Sequence, residues 1–130
     1  MLKVENMVSA RSGRVVANQF SISRFNEAGE AVEHVFQSYE SECARLENIG
    51  GNDWRLTIYR DGFYSRTTAK YLRAWLFTYL PADCIPETIK AAKEAISGGA
   101  ESWTAEGRLY AWRSLCIWWG LFTWPSLWLG

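Results

Sequence analysis

Residues 63–80, FYSRTTAKYLRAWLFTYL, constrain the fold of this chain more than any other stretch. Thr68, Tyr71, Leu72, Trp75, Leu76 and Tyr79 recur at spacings of three and four. On a helix that spacing makes one apolar stripe, which must be buried against a partner surface. Ser65 stands where an N-cap hydroxyl accepts from the orphan N–H groups of the first turn. Pro81 ends the run, because the residue before a proline is pushed out of the helical region. No acid lies between Phe63 and Leu80, and Arg66, Lys70 and Arg73 share a different face at helical spacing.

The chain before this helix has the pattern of a sheet. Residues 15–24 alternate, with Val16, Asn18, Phe20 and Ile22 on one side and Ala17, Gln19, Ser21 and Ser23 on the other, as in a half-buried strand. Residues 26–30, with Gly29, read as a turn, and residues 32–39 as the returning strand of a hairpin. Residues 41–48 suit a third strand, with Ala44 and Leu46 inward, or one or two helical turns. Gly50-Gly51-Asn52-Asp53 is the strongest turn signal in the chain. Residues 54–60 follow as a strand, Trp54, Leu56 and Ile58 on one face and Arg55, Thr57 and Tyr59 on the other. Residues 1–13 show little pattern beyond a turn at Ser12-Gly13.

A second helix is predicted over residues 86–97. Pro86 suits its first turn, Glu87 suits its positive end, and Gly98 stops it. Its apolar positions, Ile89, Ala92, Ala95 and Ile96, are few, which places it at the edge of the core. Strands first and helices after predicts an α+β fold. The expected form is a small antiparallel sheet of three to four strands, then two helices, with a Trp-rich C-terminal helix or tail.

At 130 residues the chain is long enough to bury a core without staples. Its organisation reads as a small α+β domain over residues 1–106 and a Trp-rich extension over 107–130. The formal net charge is zero, so the whole chain offers no electrostatic case for nucleic acid or a membrane. Charge is nonetheless split along the sequence. Residues 24–53 hold seven acids against two bases, a net of −5; residues 55–80 hold five bases against one acid, a net of +4. Cys43, Cys84 and Cys116 are odd in number and widely spaced, which predicts neither a zinc site nor a secreted disulfide framework. A reducing cytoplasm is the expected setting. The opening residues lack the long apolar region of a signal peptide.

Six of the eight tryptophans fall in residues 103–130: Trp103, Trp112, Trp118, Trp119, Trp124 and Trp128. After Arg113 no charged residue appears. Three readings compete for this tail. Leu109, Trp112, Cys116 and Trp119 have the spacing of an amphipathic helix ending at Gly120 and lying on the sheet. An interfacial membrane anchor is the second, since Trp favours the headgroup level. A spanning helix fits less well, because Arg113, Gly120 and Pro125 interrupt the ~20 apolar residues it requires. The third is a partner-binding surface, where tryptophan is enriched.

Signatures of catalysis are missing from the sequence. His34 is the single histidine and lies in a predicted strand, where a structural role is expected. There is no nucleophile elbow and no phosphate loop. Nothing pairs two carboxylates in an apolar setting as acid and base. No cofactor and no metal are expected. Aromatic and basic residues interleave from Arg55 to Arg66, a pattern that binds single strands by stacking and phosphate contact. The alternative is that these arginines pair with the acidic hairpin.

Separated motifs add a family resemblance. Asn18-Gln19-Phe20-Ser21-Ile22 gives an N-Q-F-x-I strand. Residues 36–41 give F-Q-S-Y-x-S, residues 64–71 give Y-S-x-T-T-x-K-Y, and Ser97-Gly98 follows the second helix. In this order they resemble a family of small uncharacterised domains from gut bacteria and their phages, over residues 4–106. The chain departs from that pattern where Gly62-Phe63 precedes Tyr64-Ser65 in place of an aromatic–Asp pair. The resemblance implies the element order and a mobile-element setting, and supplies no catalytic residue.

The expected function is therefore a non-enzymatic phage or mobile-element accessory protein. It would act by binding a protein, such as a component of a host defence system that it inhibits in the manner of an anti-CRISPR. Glu33, Glu40 and Glu42 of the acidic hairpin and Trp118, Trp119, Trp124 and Trp128 of the tail are the candidate contacts. One alternative is a nucleic-acid-binding module using Arg55, Arg60, Arg66, Lys70 and Arg73. Another is a membrane-surface protein anchored by its tail.

Overall fold

A computed structural model describes residues 1–9, 11–109 and 116–122, the last seven and residue 109 by backbone alone. Seven strands follow one another as an antiparallel meander: β1 Leu2–Val8, β2 Val15–Phe25, β3 Ala31–Ser38, β4 Ser41–Gly50, β5 Asp53–Tyr59, β6 Ser102–Leu109 and β7 Cys116–Phe122. Between β5 and β6 the chain makes a 3-10 turn at Arg60–Phe63 and two helices, α1 Arg66–Tyr79 and α2 Ile85–Ser97. The α+β class stands, but the sheet is larger than the predicted three to four strands.

β1, β6 and β7 are the strands beyond the expected sheet, and residues 41–48 take the strand form of the two that their sequence allows. Leu2, Lys3, Val4, Glu5 and Asn6 of β1 are all exposed. Leu2-Lys3-Val4-Glu5 alternates over only four residues, and with neither face buried that short pattern does not extend through the strand. In β4 the register slips between Phe36 and Gln37, which pair with Ala44 and Glu42. Cys43 is the extra residue of this bulge, so Cys43 and Ala44 are both buried in succession and the period of two is lost. β6 alternates well, with Trp103, Ala105 and Gly107 inward. It starts after α2 and runs through position 107, where the extension was expected to begin.

The predicted C-terminal helix is also corrected. Residues 116–122, including Trp118 and Trp119, form β7, which pairs with β6 from Leu109↔Cys116 to Thr104↔Phe122. Helical spacing of Leu109, Cys116 and Trp119 did not decide the outcome, because β6 offered an open row of backbone donors and acceptors beside them. Trp112, Trp124 and Trp128 lie outside the described residues.

The predicted helices are present. Ser65 Oγ accepts from Thr68 N at 3.1 Å and caps α1. Pro86 occupies the first turn of α2, whose Ile85, Ile89 and Ala92 are buried. Leu72, Trp75 and Leu76 of α1 meet Phe36, Leu46, Leu56 and Ile58 of the sheet, and α2 lies against β6, where Trp103 and Ala105 complete the core. Both helices therefore cover one face, and α1 cannot be removed without exposing the centre of the sheet.

The other face carries charge. One cross-strand row reads Leu2, Arg24, Glu33, Glu47, Arg55 and Glu106 from β1 to β6. Glu33 and Glu47 sit directly opposite each other, an arrangement that repels. Arg45, in the next row, bonds both Glu33 and Glu42. Arg24 reaches Glu33 at 3.5 Å, while Arg55 reaches Glu106 at 2.8 Å and Glu47 at 3.6 Å. Hydrogen bonding to Glu42 holds the Arg45 guanidinium charged well above its ordinary range, and bonding to Glu106 also raises Arg55.

Candidate functional site

Three of the sequence segments named above meet at one end of the sheet. Ser38 and Ser41 close β3 onto β4 through the two-residue turn Tyr39-Glu40. The N-terminus of α1 stands beside that turn, held by hydrogen bonds from Ser65 Oγ to Thr68 Oγ1 (3.1 Å) and between Thr68 Oγ1 and Ser38 Oγ (3.1 Å). Between them lies a hollow of about 550 Å³, open to solvent on one side. Hydroxyl groups of Ser38, Ser41, Ser65, Thr67 and Thr68 line it, with Asp61 and Cys43. Tyr39 and Tyr64 form its rim, 63 % and 84 % exposed.

Backbone strain marks the same place. Tyr39 has φ 56° and Asn18 has φ 64°, the two non-glycine residues at positive φ among those described. A bulky side chain in that region costs on the order of 1–3 kcal/mol and persists only when its surroundings hold it there. Tyr39 N donates to Asn18 O at 2.7 Å, and Gln37 Nε2 donates to Tyr39 O at 2.8 Å, so both peptide groups of the residue are clamped. The effect is to stand an aromatic ring out into solvent at the edge of the hollow. Gln19, beside Asn18, is almost fully buried and its Oε1 has no hydrogen-bond partner among the described residues.

The groups that line the hollow suit recognition by hydrogen bonding and aromatic contact. Its one thiol, Cys43, is buried and pushed up to about 11, chiefly by loss of solvation. It stays protonated near neutral pH and is a poor nucleophile. Hydroxyl groups and two phenols can donate and accept hydrogen bonds, and the phenol rings give flat apolar area that loses little side-chain entropy on contact. At about 550 Å³ the hollow is in the size range of pockets that take a small ligand or a few inserted side chains.

His34 lies elsewhere, on the helix-facing side of β3. Its ring stacks on Tyr79 at 4.0 Å between centroids and faces Trp54 at 6.1 Å. Nδ1 is 2.7 Å from Ser23 Oγ. The pair is not a catalytic dyad in form. Desolvation lowers the imidazole to about 4, with Glu33 opposing in part, so it is neutral and weakly basic at pH 7. Glu33 points to the opposite face of the sheet and cannot orient the ring. No group of three metal-ligating side chains occurs among the described residues.

The candidates raised from sequence separate into distinct environments. Glu33 and Glu42 are drawn into the Arg45 network on the charged face, whereas Glu40 is exposed in the turn next to Tyr39. Trp118 and Trp119 lie on β7, and Trp124 and Trp128 fall outside the described residues. Arg55 pairs with Glu47 and Glu106, and Arg60 with Glu101 at 3.1 Å. Arg66, Lys70 and Arg73 are carried on α1, with Lys70 Nζ 5.3 Å from the Tyr71 ring centre. The five bases thus do not make one surface. Tyr39 and Tyr64 are not among the candidate contacts read from sequence, where Tyr64 enters only within the interleaved run of residues 55–66 and both tyrosines only within the family motifs.

The chain belongs to a family of unknown function, DUF8033, whose profile matches residues 2–89. That span contains β1–β5, α1 and the hollow. No curated protein and no solved structure matches the chain.

Proposed function

We propose that this member of the DUF8033 family is a non-enzymatic binding module that holds a protein partner at the Tyr39–Tyr64 hollow. The observation that carries the reading is the pair of strongly exposed tyrosines on the rim of a hydroxyl-lined hollow, one of them held at positive φ. Solvent-facing tyrosines are frequent anchors in protein contacts. Strain kept at an exposed position supports a role for that side chain outside the folded core. Glu40, in the same turn, adds a carboxylate at the rim and keeps one of the acidic candidates in the contact surface.

The role of such a module in a phage or mobile element, as an inhibitor of a host defence complex in a cytoplasmic setting, rests on the motif resemblance and the widely spaced cysteines. Nucleic-acid binding retains a smaller basis, the bases Arg66, Lys70 and Arg73 on α1. Membrane contact by the tail rests on its tryptophans; among the described residues no helix is long and apolar enough to cross a membrane.

The test is photocrosslinking in the organism that encodes the chain. A benzophenone amino acid replaces Tyr64 in one sample and Phe77, which is half exposed on α1, in another. The reading expects one dominant protein adduct from position 64 and not from position 77, lost when Tyr39→Gly is added. That variant relieves the positive φ, so the fold keeps its stability while the rim loses an aromatic ring. Equal labelling from both positions, or an adduct indifferent to Tyr39→Gly, refutes it. A gel shift of single-stranded DNA at low salt, abolished by replacing Arg66, Lys70 and Arg73, would favour the α1 surface instead.

A further inference from the structure

β1 forms one edge of the sheet, and among the described residues its outer side pairs with nothing. Natural edges are usually blunted by proline, by a bulge, by a covering element or by charged side chains; the charges of β1, Lys3 and Glu5, are of opposite sign and so complementary to a second copy. β1 has no proline, and its register shift lies at the far end, between Asn6 and Val8. Neither helix covers it: Leu2 and Val4 are 61 % and 57 % exposed on one face, and Lys3 and Glu5 are exposed on the other. Lys3 Nζ and Glu5 Oε1 lie 3.5 Å apart along the strand.

The direction of the free backbone groups follows from the chain start. Phe25 N donates to Met1 O at 2.9 Å, and Met1 N donates to Phe25 O at 3.2 Å. Met1 and Phe25 are thus a hydrogen-bonded pair. Such pairs alternate with non-bonded ones along an antiparallel ladder. With Leu2 opposite Arg24 and Val4 opposite Ile22, it is Lys3 and Glu5 that bond β2. Leu2, Val4 and Asn6 turn their N–H and C=O groups outward.

We infer that β1 is a self-association edge whose occupant is β1 of a second copy of this chain, paired antiparallel with Val4 opposite Val4. In that register Leu2 faces Asn6 of the copy, and all three outward residues become hydrogen-bonded pairs, for about six backbone bonds. Lys3 then faces Glu5 of the copy on both sides of the two-fold axis. These are the close, non-bonded positions, where opposite charges attract most effectively across strands. Shifting by one hydrogen-bonding step either way places Lys3 opposite Lys3 or Glu5 opposite Glu5. Charge therefore selects a single register, and the two-fold symmetry makes the contact closed. On the other face Val4 continues the apolar row of Ile22 and Val35.

Analytical ultracentrifugation of the full chain from micromolar to submillimolar concentration tests this. Wild type is expected to form a dimer. Lys3→Glu and Glu5→Lys each place like charges at both close positions, and each should weaken the dimer tenfold or more at low salt. An equimolar mixture of the two variants should restore it as a heterodimer, since one copy then presents acids at both close positions and the other presents bases. Val4→Pro removes an outward N–H without touching the β1–β2 ladder, and should also give monomer with an unchanged circular dichroism spectrum. A wild type that stays monomeric throughout, or a dimer unmoved by both charge reversals, overturns the inference. So does a mixture that fails to recover the dimer lost in each variant alone.

Discussion

The environment of His34 makes a prediction that depends on burial of one ring and on little else. The imidazole lies against Tyr79 and Trp54 and bonds Ser23, and loss of solvation lowers it from 6.5 to about 4. In the unfolded chain it binds a proton below about pH 6.5. Between 6.5 and 4 the unfolded state therefore holds more protons than the folded one, and stability rises with pH across that window. The stability that the neutral ring allows is fully present above 6.5 and is lost as the pH falls toward 4. At 1.36 kcal/mol per pH unit the span corresponds to at most about 3 kcal/mol, and partial exposure with solvent screening reduces this to roughly 1–2 kcal/mol. His34→Phe keeps an aromatic ring in the stack and removes the titration. Urea unfolding followed by tryptophan fluorescence, at intervals from pH 7.5 to 4.5, gives both stability curves. The carboxylates titrate in both proteins and cancel in the difference. Wild type should lose about 1–2 kcal/mol more than His34→Phe over this range. Parallel curves would refute the claim that this ring is held neutral by burial.

Three further predictions follow from packing and charge. Trp75 is 1 % exposed and its indole N–H has no partner among the described residues. Trp75→Ala should cost about 3–5 kcal/mol, whereas Trp75→Phe should stay within about 1 kcal/mol, because it also removes an unsatisfied buried donor; denaturant midpoints compare the two. A Cβ at Gly62 would meet Cys43 O and Leu72 Cδ2, each at 3.2 Å, so Gly62→Ala should destabilise by about 1–3 kcal/mol through overpacking, read as a lowered Tm. Removing the guanidinium between Glu33 and Glu42 by Arg45→Met should cost about 1–2 kcal/mol, allowing for its partial exposure. Adding Glu33→Gln should recover part of it, as a double-mutant cycle measures.

The hollow shows how far local pattern reached. Ser65 was legible as a cap, and the same hydroxyl donates to Thr68 Oγ1, which in turn bonds Ser38 of β3 in the lining of the hollow. Its rim was not legible. Nothing in the letters around Tyr39 says that it will take a positive φ, since that conformation is held by Asn18, a residue one strand away. The split of charge was visible, but its outcome was only half foreseen. Arg55 pairs with Glu47 of the acidic segment, yet its nearest acid is Glu106, brought alongside by a strand from beyond the helices.

By itself the sequence determined the elements whose signals are local: the capped, striped α1, the proline-started α2, the alternating β2 and β5, and the Gly51-Asn52 turn between β4 and β5. Periodicity and capping act over one or two turns of chain and are written in neighbouring residues. Only the tertiary structure decided the size of the sheet. β1 became a strand because β2 offered it a ladder, and β6 and β7 because β5 and then β6 did the same. Backbone hydrogen bonds of that kind require a partner and leave little trace in composition. The same reason decided the site: the hollow, its strained tyrosine and the charged row are made of residues far apart in sequence, and they have no chemistry in common until the meander sets them side by side.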